Sequence, residues 1–316
     1  MDQKNQTAIT EFLLLGLTTR VELSNLLFVV FLFMYLMNLL GNGTMISVIS
    51  GTSKLHTPMY FLLCNLSFVD MSFSSVTVPK MLSNLISGKK NISYANCITQ
   101  LYFFIIFATA ECLLLSLMAY DRYVAICKPL YYIIIMNKKV CLIMTTILFI
   151  ISFLNSVLHT LLVSRLAFCN SNNIQHFFCD FAPLIHISCT DTSINELLAF
   201  IVGTVLIITP FLIILISYVY IITTILKIKS TGGRRKTFST CSSHLSVVTL
   251  FYGTFIFMYL RPQSSYSLEK DMIASVMYNV VSPMLNPYIY SLRNREVVLK
   301  VRNVLPRTIC FSKGKY

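Results

Sequence analysis

The sequence predicts an all-α fold, a bundle of seven membrane-spanning helices with a short amphipathic helix on the inner membrane surface. Three observations carry this. Hydrophobic residues make up 56% of the 316-residue chain and charged residues only 12%, against the roughly 45–50% apolar content of globular proteins. The apolar residues gather into seven runs, each long enough to cross a hydrocarbon core of about 30 Å at about 1.5 Å per residue. Lys and Arg concentrate in the connections on one side of those runs.

The chain opens with a polar segment, 1–23, in which the apolar stretch at 12–17 is short and flanked by Glu11 and Glu22. It lacks the basic start, apolar core and cleavage site of a secretory signal, so the first run is expected to serve as the insertion signal. The runs fall at about 24–50, 58–86, 97–125, 140–163, 196–226, 237–261 and 272–292. The inner connections are short and no internal repeat is visible, which predicts one compact bundle over 24–292. The single long connection, 164–195, holds Cys169, Cys179, Cys189 and Pro183. It is too polar to span and too long for a plain turn, and is expected to fold over the bundle mouth as a lid. In the tail, 293–316, Val297, Val301, Val304 and Leu305 recur at helical spacing among Arg295, Lys300, Arg302 and Arg307. That pattern predicts a helix lying on the inner surface, with Cys310 beyond it as a palmitoylation candidate.

An extracellular N-terminus places seventeen of the 25 basic residues on the inner side, as the retention of Lys and Arg in the cytoplasm requires. Eight of the 12 acids lie outside, and only Asp121 and Glu296 sit at the inner face. The net charge of +13 therefore faces anionic lipid and acidic partners, and membrane lipid rather than nucleic acid explains it. The sequon at Asn5 falls outside, as does a second at Asn91, whereas the matches at Asn42 and Asn65 lie within spans. Cys97, Cys169, Cys179 and Cys189 share the oxidising side, where four cysteines allow three pairings.

Two acids, Asp70 and Glu111, lie inside spans, where a charge costs about 2.5–3.5 kcal/mol on insertion scales. They are expected to form a site for a sodium ion or a shared proton. The competing reading leaves each neutral and hydrogen-bonded to Asn42 or nearby Ser and Asn.

Further motifs stand at span ends. Leu55-His56-Thr57-Pro58-Met59-Tyr60-Phe61 opens the second span, and Met118-Ala119-Tyr120-Asp121-Arg122-Tyr123-Val124-Ala125-Ile126-Cys127 closes the third. Ser217-Tyr218 lies near the end of the fifth, and residues 236–245, from Lys236 through His244 to Leu245, open the sixth. The seventh closes with Pro283-Met284-Leu285-Asn286-Pro287-Tyr288-Ile289-Tyr290. Asp121-Arg122-Tyr123 at that depth resembles the rhodopsin-like G-protein-coupled receptors. The full set, over essentially the whole chain, resembles the odorant receptors.

The resemblance implies a receptor, not an enzyme, that binds a small, mostly hydrophobic volatile molecule within the bundle. It also implies a stimulatory heterotrimeric G protein as partner, acting through cyclic AMP. The same machinery could serve chemosensing outside olfaction. The implied ligand lining is Phe104, Ile105, Ala108 and Thr109 on the third span, Val202, Gly203, Leu206 and Ile207 on the fifth, Tyr252, Phe255 and Tyr259 on the sixth, and Val276 and Asn279 on the seventh. The implied activation switch comprises Asp121, Arg122, Tyr123, Tyr218, His244, Asn286, Pro287 and Tyr290. Arg122 would pair with Asp121 at rest and swing toward Tyr218 or Tyr290 when the bundle opens, while Pro287 permits a kink beside Asn286. The sixth span has Phe251-Tyr252-Gly253 where most rhodopsin-like receptors carry a tryptophan-proline switch, a departure the odorant receptors share; Tyr252 is expected in that role. The implied disulfides are Cys97–Cys179 and Cys169–Cys189.

Phe103 to Thr109 carries no acid to pair with a biogenic amine, and the seventh span has no Lys for a retinal Schiff base. His176-Phe177-Phe178-Cys179-Asp180 holds soft-metal donors, but a disulfide at Cys179 would consume the thiol, so no metal site is expected, and no other cofactor. A transporter would show a helix-broken repeat across two halves, and a membrane enzyme a nucleophile or acid-base set at one depth. Neither is visible.

Overall fold

The computed structural model describes residues 10–18, 20–169, 172–259 and 268–291, apart from the side chains at 235–236, 239–240, 255–259, 268–269 and 291. The long helices are α1 (Val21–Ser50), α2 (Pro58–Ser87), α3 (Tyr94–Cys127), α5 (Lys138–Ser164), α7 (Ser193–Leu226) and α8 (Thr231–Tyr259). The seventh span is built from α9 (Leu268–Val276), a π-helical turn (Met277–Val281) and α10 (Ser282–Ser291). The short α4 (Tyr132–Ile135) lies between α3 and α5, and α6 (Phe181–His186) lies in the lid. Five of the long helices are apolar enough over 18 residues to cross a membrane, among the described residues.

Local chemistry sets the boundaries. Pro58 opens α2, where its missing N–H costs nothing, and Gly88 closes it with φ of 65°, a left-handed cap. Ser93 caps α3 by accepting from the Asn96 N–H at 3.3 Å. Asn137 does the same for α5, accepting from the Val140 N–H at 3.0 Å. The tail helix at 297–305, Cys310 and the sequon at Asn5 lie outside the described residues.

α3 runs through the middle of the bundle against α2, α5 and α7, while α1 packs on α2 and α10. At that last contact a Cβ on Gly41 would stand 2.8 Å from Pro287 Cγ and 3.2 Å from the Tyr288 ring. Only glycine allows so close an approach. The inner half of the bundle is filled by one cluster that includes Leu62, Leu66, Leu114, Leu115, Ile221, Val247 and Phe251. The outward faces of α1, α5 and α7 expose large apolar side chains such as Phe33, Phe153 and Phe200. A lipid solvent makes such exposure favourable.

Over the outer end lies a three-stranded sheet in the order β2-β1-β3. β1 (Glu11–Leu14) pairs antiparallel with β2 (Asn91–Ser93), Phe12 opposite Ile92, and parallel with β3 (Asn173–Ile174), Leu14 opposite Ile174. Phe12 and Leu14 point into a core shared with Leu101, Val163, Phe168 and Ile185, while Glu11 is exposed. The lid thus has a hydrophobic core of its own. Disulfides Cys97–Cys179 and Cys169–Cys189 fasten it to α3 and close it on itself.

Candidate functional site

Under the lid, a cavity of about 380 Å³ opens between α3, α5, α7 and α8, within the usual range for small-molecule sites. A larger hollow of about 760 Å³ lies along α8 and α9, lined by Leu245, Gly253, Lys270 and Ile273. The smaller cavity is the better candidate, because polar groups from α3, α5, the lid, α7 and α8 converge in an otherwise apolar wall.

Of the residues that the family resemblance implies, Phe104, Ile105, Ala108, Thr109, Gly203, Leu206, Ile207 and Tyr252 line this cavity. Val202, Val276 and Asn279 do not. Val202 is turned by about 100° from Gly203 along the helix. Beside α9 and the π turn the structure has an aromatic plug. The lid inserts Phe177 and Phe178 beside Tyr278, and Phe178 stands 4.8 Å from Phe104, ring to ring. Val276 packs against this cluster, and Asn279 is fully buried. His176 continues the plug by hydrogen-bonding Ser275 Oγ through Nε2 at 3.1 Å, and burial pushes its ring down to a pKa of about 3. The side chains of Phe255 and Tyr259 lie outside the described residues.

Sequence reasoning missed Cys112, Asn155, His159, Asp180, Phe181 and Phe211 in the wall. At the inner end, Tyr252 donates to the Cys112 carbonyl at 3.3 Å and lies 3.0 Å from its Sγ, tying α8 to α3. Asn155 donates to Thr109 Oγ1 at 3.0 Å. Asp180 caps α6 by accepting from the Phe181 N–H at 2.7 Å, yet burial pushes its carboxyl up to about 6.

Deeper in the bundle, both oxygens of Asp70 accept from Asn286 Nδ2, at 3.1 and 3.0 Å. Asn42, the partner considered from sequence, instead donates to Asn38 and to the Pro283 carbonyl. Glu111 is fully buried and neither carboxylate oxygen has a hydrogen-bond partner. Asp70 on α2 and Glu111 on α3 are thus both fully buried acids on neighbouring helices. Orphaned acceptors of this kind fit a cation or a proton held between Asp70 and Glu111. The π turn releases backbone acceptors nearby, and Ser74 takes the Asn279 carbonyl at 3.0 Å. Among the described residues, no group of three His, Cys, Asp or Glu side chains could hold a metal ion.

At the inner end, Asp121, expected to pair with Arg122, accepts from the Tyr132 hydroxyl at 2.8 Å. Arg122 is half-buried, and its charge acts on Asp121 as well as on Tyr218, His244 and Tyr290. Tyr218 lies 2.8 Å from His244 Nδ1, and His244 Nε2 lies 3.1 Å from the Leu115 carbonyl. Tyr123 packs against Tyr220 at 5.7 Å between ring centres. The Tyr290 hydroxyl is buried without a hydrogen-bond partner, and Pro287 stands inside α10.

The sequence profile described as "Olfactory receptor" matches residues 31–308. The chain is 51% identical over 305 residues to olfactory receptor 1f45 of Rattus norvegicus, covering 96% of this chain and 97% of that one. It is 49% identical over 313 residues to olfactory receptor 1C1 of Homo sapiens, covering 99% and 100%. In fold it is similar to squid rhodopsin, with a TM-score of 0.69 at 20% identity, covering 92% of this chain and 82% of that one.

Proposed function

The chain belongs to the olfactory receptor family, odorant-sensing G-protein-coupled receptors, and on that premise we propose that its odorant binds in the cavity beneath the lid and that the inner end engages a stimulatory G protein. The observation that carries this reading is the cavity itself. Its wall is mostly apolar, its volume suits a small molecule, and Tyr252 and Cys112 at its inner end belong to the helices that lead to the inner switch. A ligand that displaces Tyr252 would act on α8 against α3, and so on the contact between His244 and Leu115 one face below.

Leu130, Ile133 and Ile134 expose 90%, 81% and 70% of their surfaces beside the inner end of α3. Exposed apolar groups next to basic residues fit a protein partner or lipid headgroups. The distribution of Lys and Arg supports an inner side bearing these loops, and the two disulfides support an oxidising outer side. In this orientation the N-terminus is extracellular, the tail is cytoplasmic, and the receptor sits in the plasma membrane.

The test is a cyclic-AMP assay in cells expressing the chain with a stimulatory G protein, screened against volatile organic compounds, with Arg122→Ala as control. A dose-dependent rise that the variant abolishes at equal surface expression is the expected result. Transport of a labelled solute, or a rise that Arg122→Ala leaves intact, would overturn it.

A further inference from the structure

The interior cavity is mostly apolar, and apart from Thr109, Cys112, Thr204 and Tyr252 its polar side chains lie along a strip of α5 and the facing lid. Asn155 and His159 stand four residues apart on one face of α5, and both line the cavity. The amide N–H of Asn155 is engaged by Thr109 Oγ1, while its Oδ1 is buried with no hydrogen-bond partner. His159 is 6% exposed and its Nδ1 is likewise buried without a partner. Its ring meets the edge of Phe181 at 5.4 Å. Phe181 follows Asp180, whose Oδ1 takes the Phe181 N–H, so the lid brings a carboxyl to the same side of the cavity.

Buried polar atoms are hydrogen-bonded in the great majority of cases, and each exception needs an explanation. Helix packing alone gives Asn155 and His159, both in the cavity wall, no reason to keep unmade bonds. A ligand that completes those bonds does.

The chemistry of the strip selects the ligand. Asn155 Oδ1 can only accept, and so can the Asp180 carboxylate when ionised. His159, with a free Nδ1, can donate. A hydroxyl both donates and accepts, so one oxygen satisfies an acceptor and the imidazole together. A carbonyl or an ether only accepts, and leaves Asn155 Oδ1 without a donor.

We propose that the cavity is specific for apolar molecules bearing a hydroxyl group, alcohols or phenols, whose O–H donates to Asn155 Oδ1 and whose oxygen accepts from His159 Nδ1–H. This rests on the odorant-binding reading above and narrows its ligand class. Asp180 serves as a second acceptor on the lid side, and Thr109 holds the Asn155 amide in place.

The experiment uses matched sets of volatiles that share a carbon skeleton: octanol with octanal and its methyl ether, menthol with menthone and its methyl ether, and para-cresol with its methyl ether. Each is applied to cells expressing the full chain with a stimulatory G protein, and half-maximal concentrations are read from cyclic AMP. The expected result is that hydroxyl compounds act at concentrations about tenfold or more below their partners, the discrimination a lost buried hydrogen bond produces. Asn155→Leu and His159→Phe, each verified at the cell surface, are expected to remove most of that difference while still answering the ether. Carbonyl or ether partners that match the hydroxyl compounds in potency overturn the inference and leave the odorant-receptor reading standing. So does a response confined to octylamine, added to the first set as a protonated amine, which would make Asp180 the recognition group. Silence to every set in a receptor confirmed at the surface overturns the inference together with the reading beneath it.

Discussion

The Tyr218 hydroxyl and the His244 imidazole meet at 2.8 Å, with their rings stacked at 15°. Their protons can be assigned from the third partner. The Leu115 carbonyl, 3.1 Å from Nε2, can only accept, so Nε2 carries the hydrogen. Nδ1 of the neutral ring then accepts from Tyr218, and α7, α8 and α3 are fastened through one imidazole.

A latch of this kind holds the inner end of α8 against α3 in this arrangement. Net hydrogen bonds contribute about 0.5–1.5 kcal/mol each, enough to move a two-state equilibrium several-fold. His244→Phe is therefore expected to raise ligand-independent cyclic AMP several-fold at equal surface expression, and Tyr218→Phe to raise it by less, because the bond to Leu115 survives. Lowered basal signalling in both variants would place the latch in the signalling arrangement instead.

Gly41 sets the distance between α1 and α10. Its missing Cβ would lie 2.8 Å from Pro287 Cγ, and a proline ring cannot swing aside as the end of a long side chain can. Gly41→Ala is expected to lower stability by about 1–3 kcal/mol, the usual cost of overpacking. The control is Gly43→Ala two residues on, where a Cβ would meet nothing within 4 Å. Thermal unfolding of the two purified proteins checks this, and equal melting temperatures would show that α1 yields without cost.

Asp180 is expected to make the lid sensitive to pH. Burial raises its carboxyl from an ordinary value of 3.8 to about 6, so the folded lid favours the neutral form. The associated stabilisation is fully present below about pH 4 and is lost as pH rises through about 6. A shift of that size corresponds to roughly 3 kcal/mol as an upper figure. Asp180→Asn keeps a capping oxygen and cannot ionise. Across that interval the melting temperature of the wild type is expected to fall by several degrees relative to the variant; parallel curves would mean that solvent reaches the carboxylate.

The spans were legible because lipid imposes long apolar runs, and Pro58 marks the start of one, whereas the caps at Ser93 and Asn137 lie a few residues before the apolar runs at 97 and 140. Other features depend on partners remote along the chain. β1 is four residues long, and its alternation of Glu11, Phe12, Leu13 and Leu14 acquires meaning only beside residues 91–93 and 173–174. The π turn at Met277–Val281 has no composition that distinguishes it from α-helix. Asn155 and His159 lie at helical spacing among apolar neighbours, and only α3, α7 and the lid around the cavity set them apart. Val276 reads as lining because nothing in the sequence places it against the cluster of Phe177, Phe178 and Tyr278.

Asp70 and Glu111 were conspicuous from sequence, and their surroundings divide them. The amide of Asn286 gives Asp70 two bonds, whereas Glu111 has none at 0% exposure. An ionised carboxylate is costly when buried without partners, and a sodium ion or a proton at Asp70 and Glu111 is the expected means of neutralising them. If sodium does so, the purified receptor is expected to melt a few degrees higher in sodium chloride than in choline chloride of equal concentration, by linkage of binding to folding. Glu111→Gln removes one of the two charges and is expected to abolish that dependence while melting higher in choline than the wild type, because an unpaired buried charge is gone. Indifference to sodium in both proteins, with the same gain in Glu111→Gln, would assign the neutralising role to a shared proton. A loss of stability in Glu111→Gln would instead mean that the ionised glutamate has a stabilising partner, because only then does removing its charge cost more than it relieves.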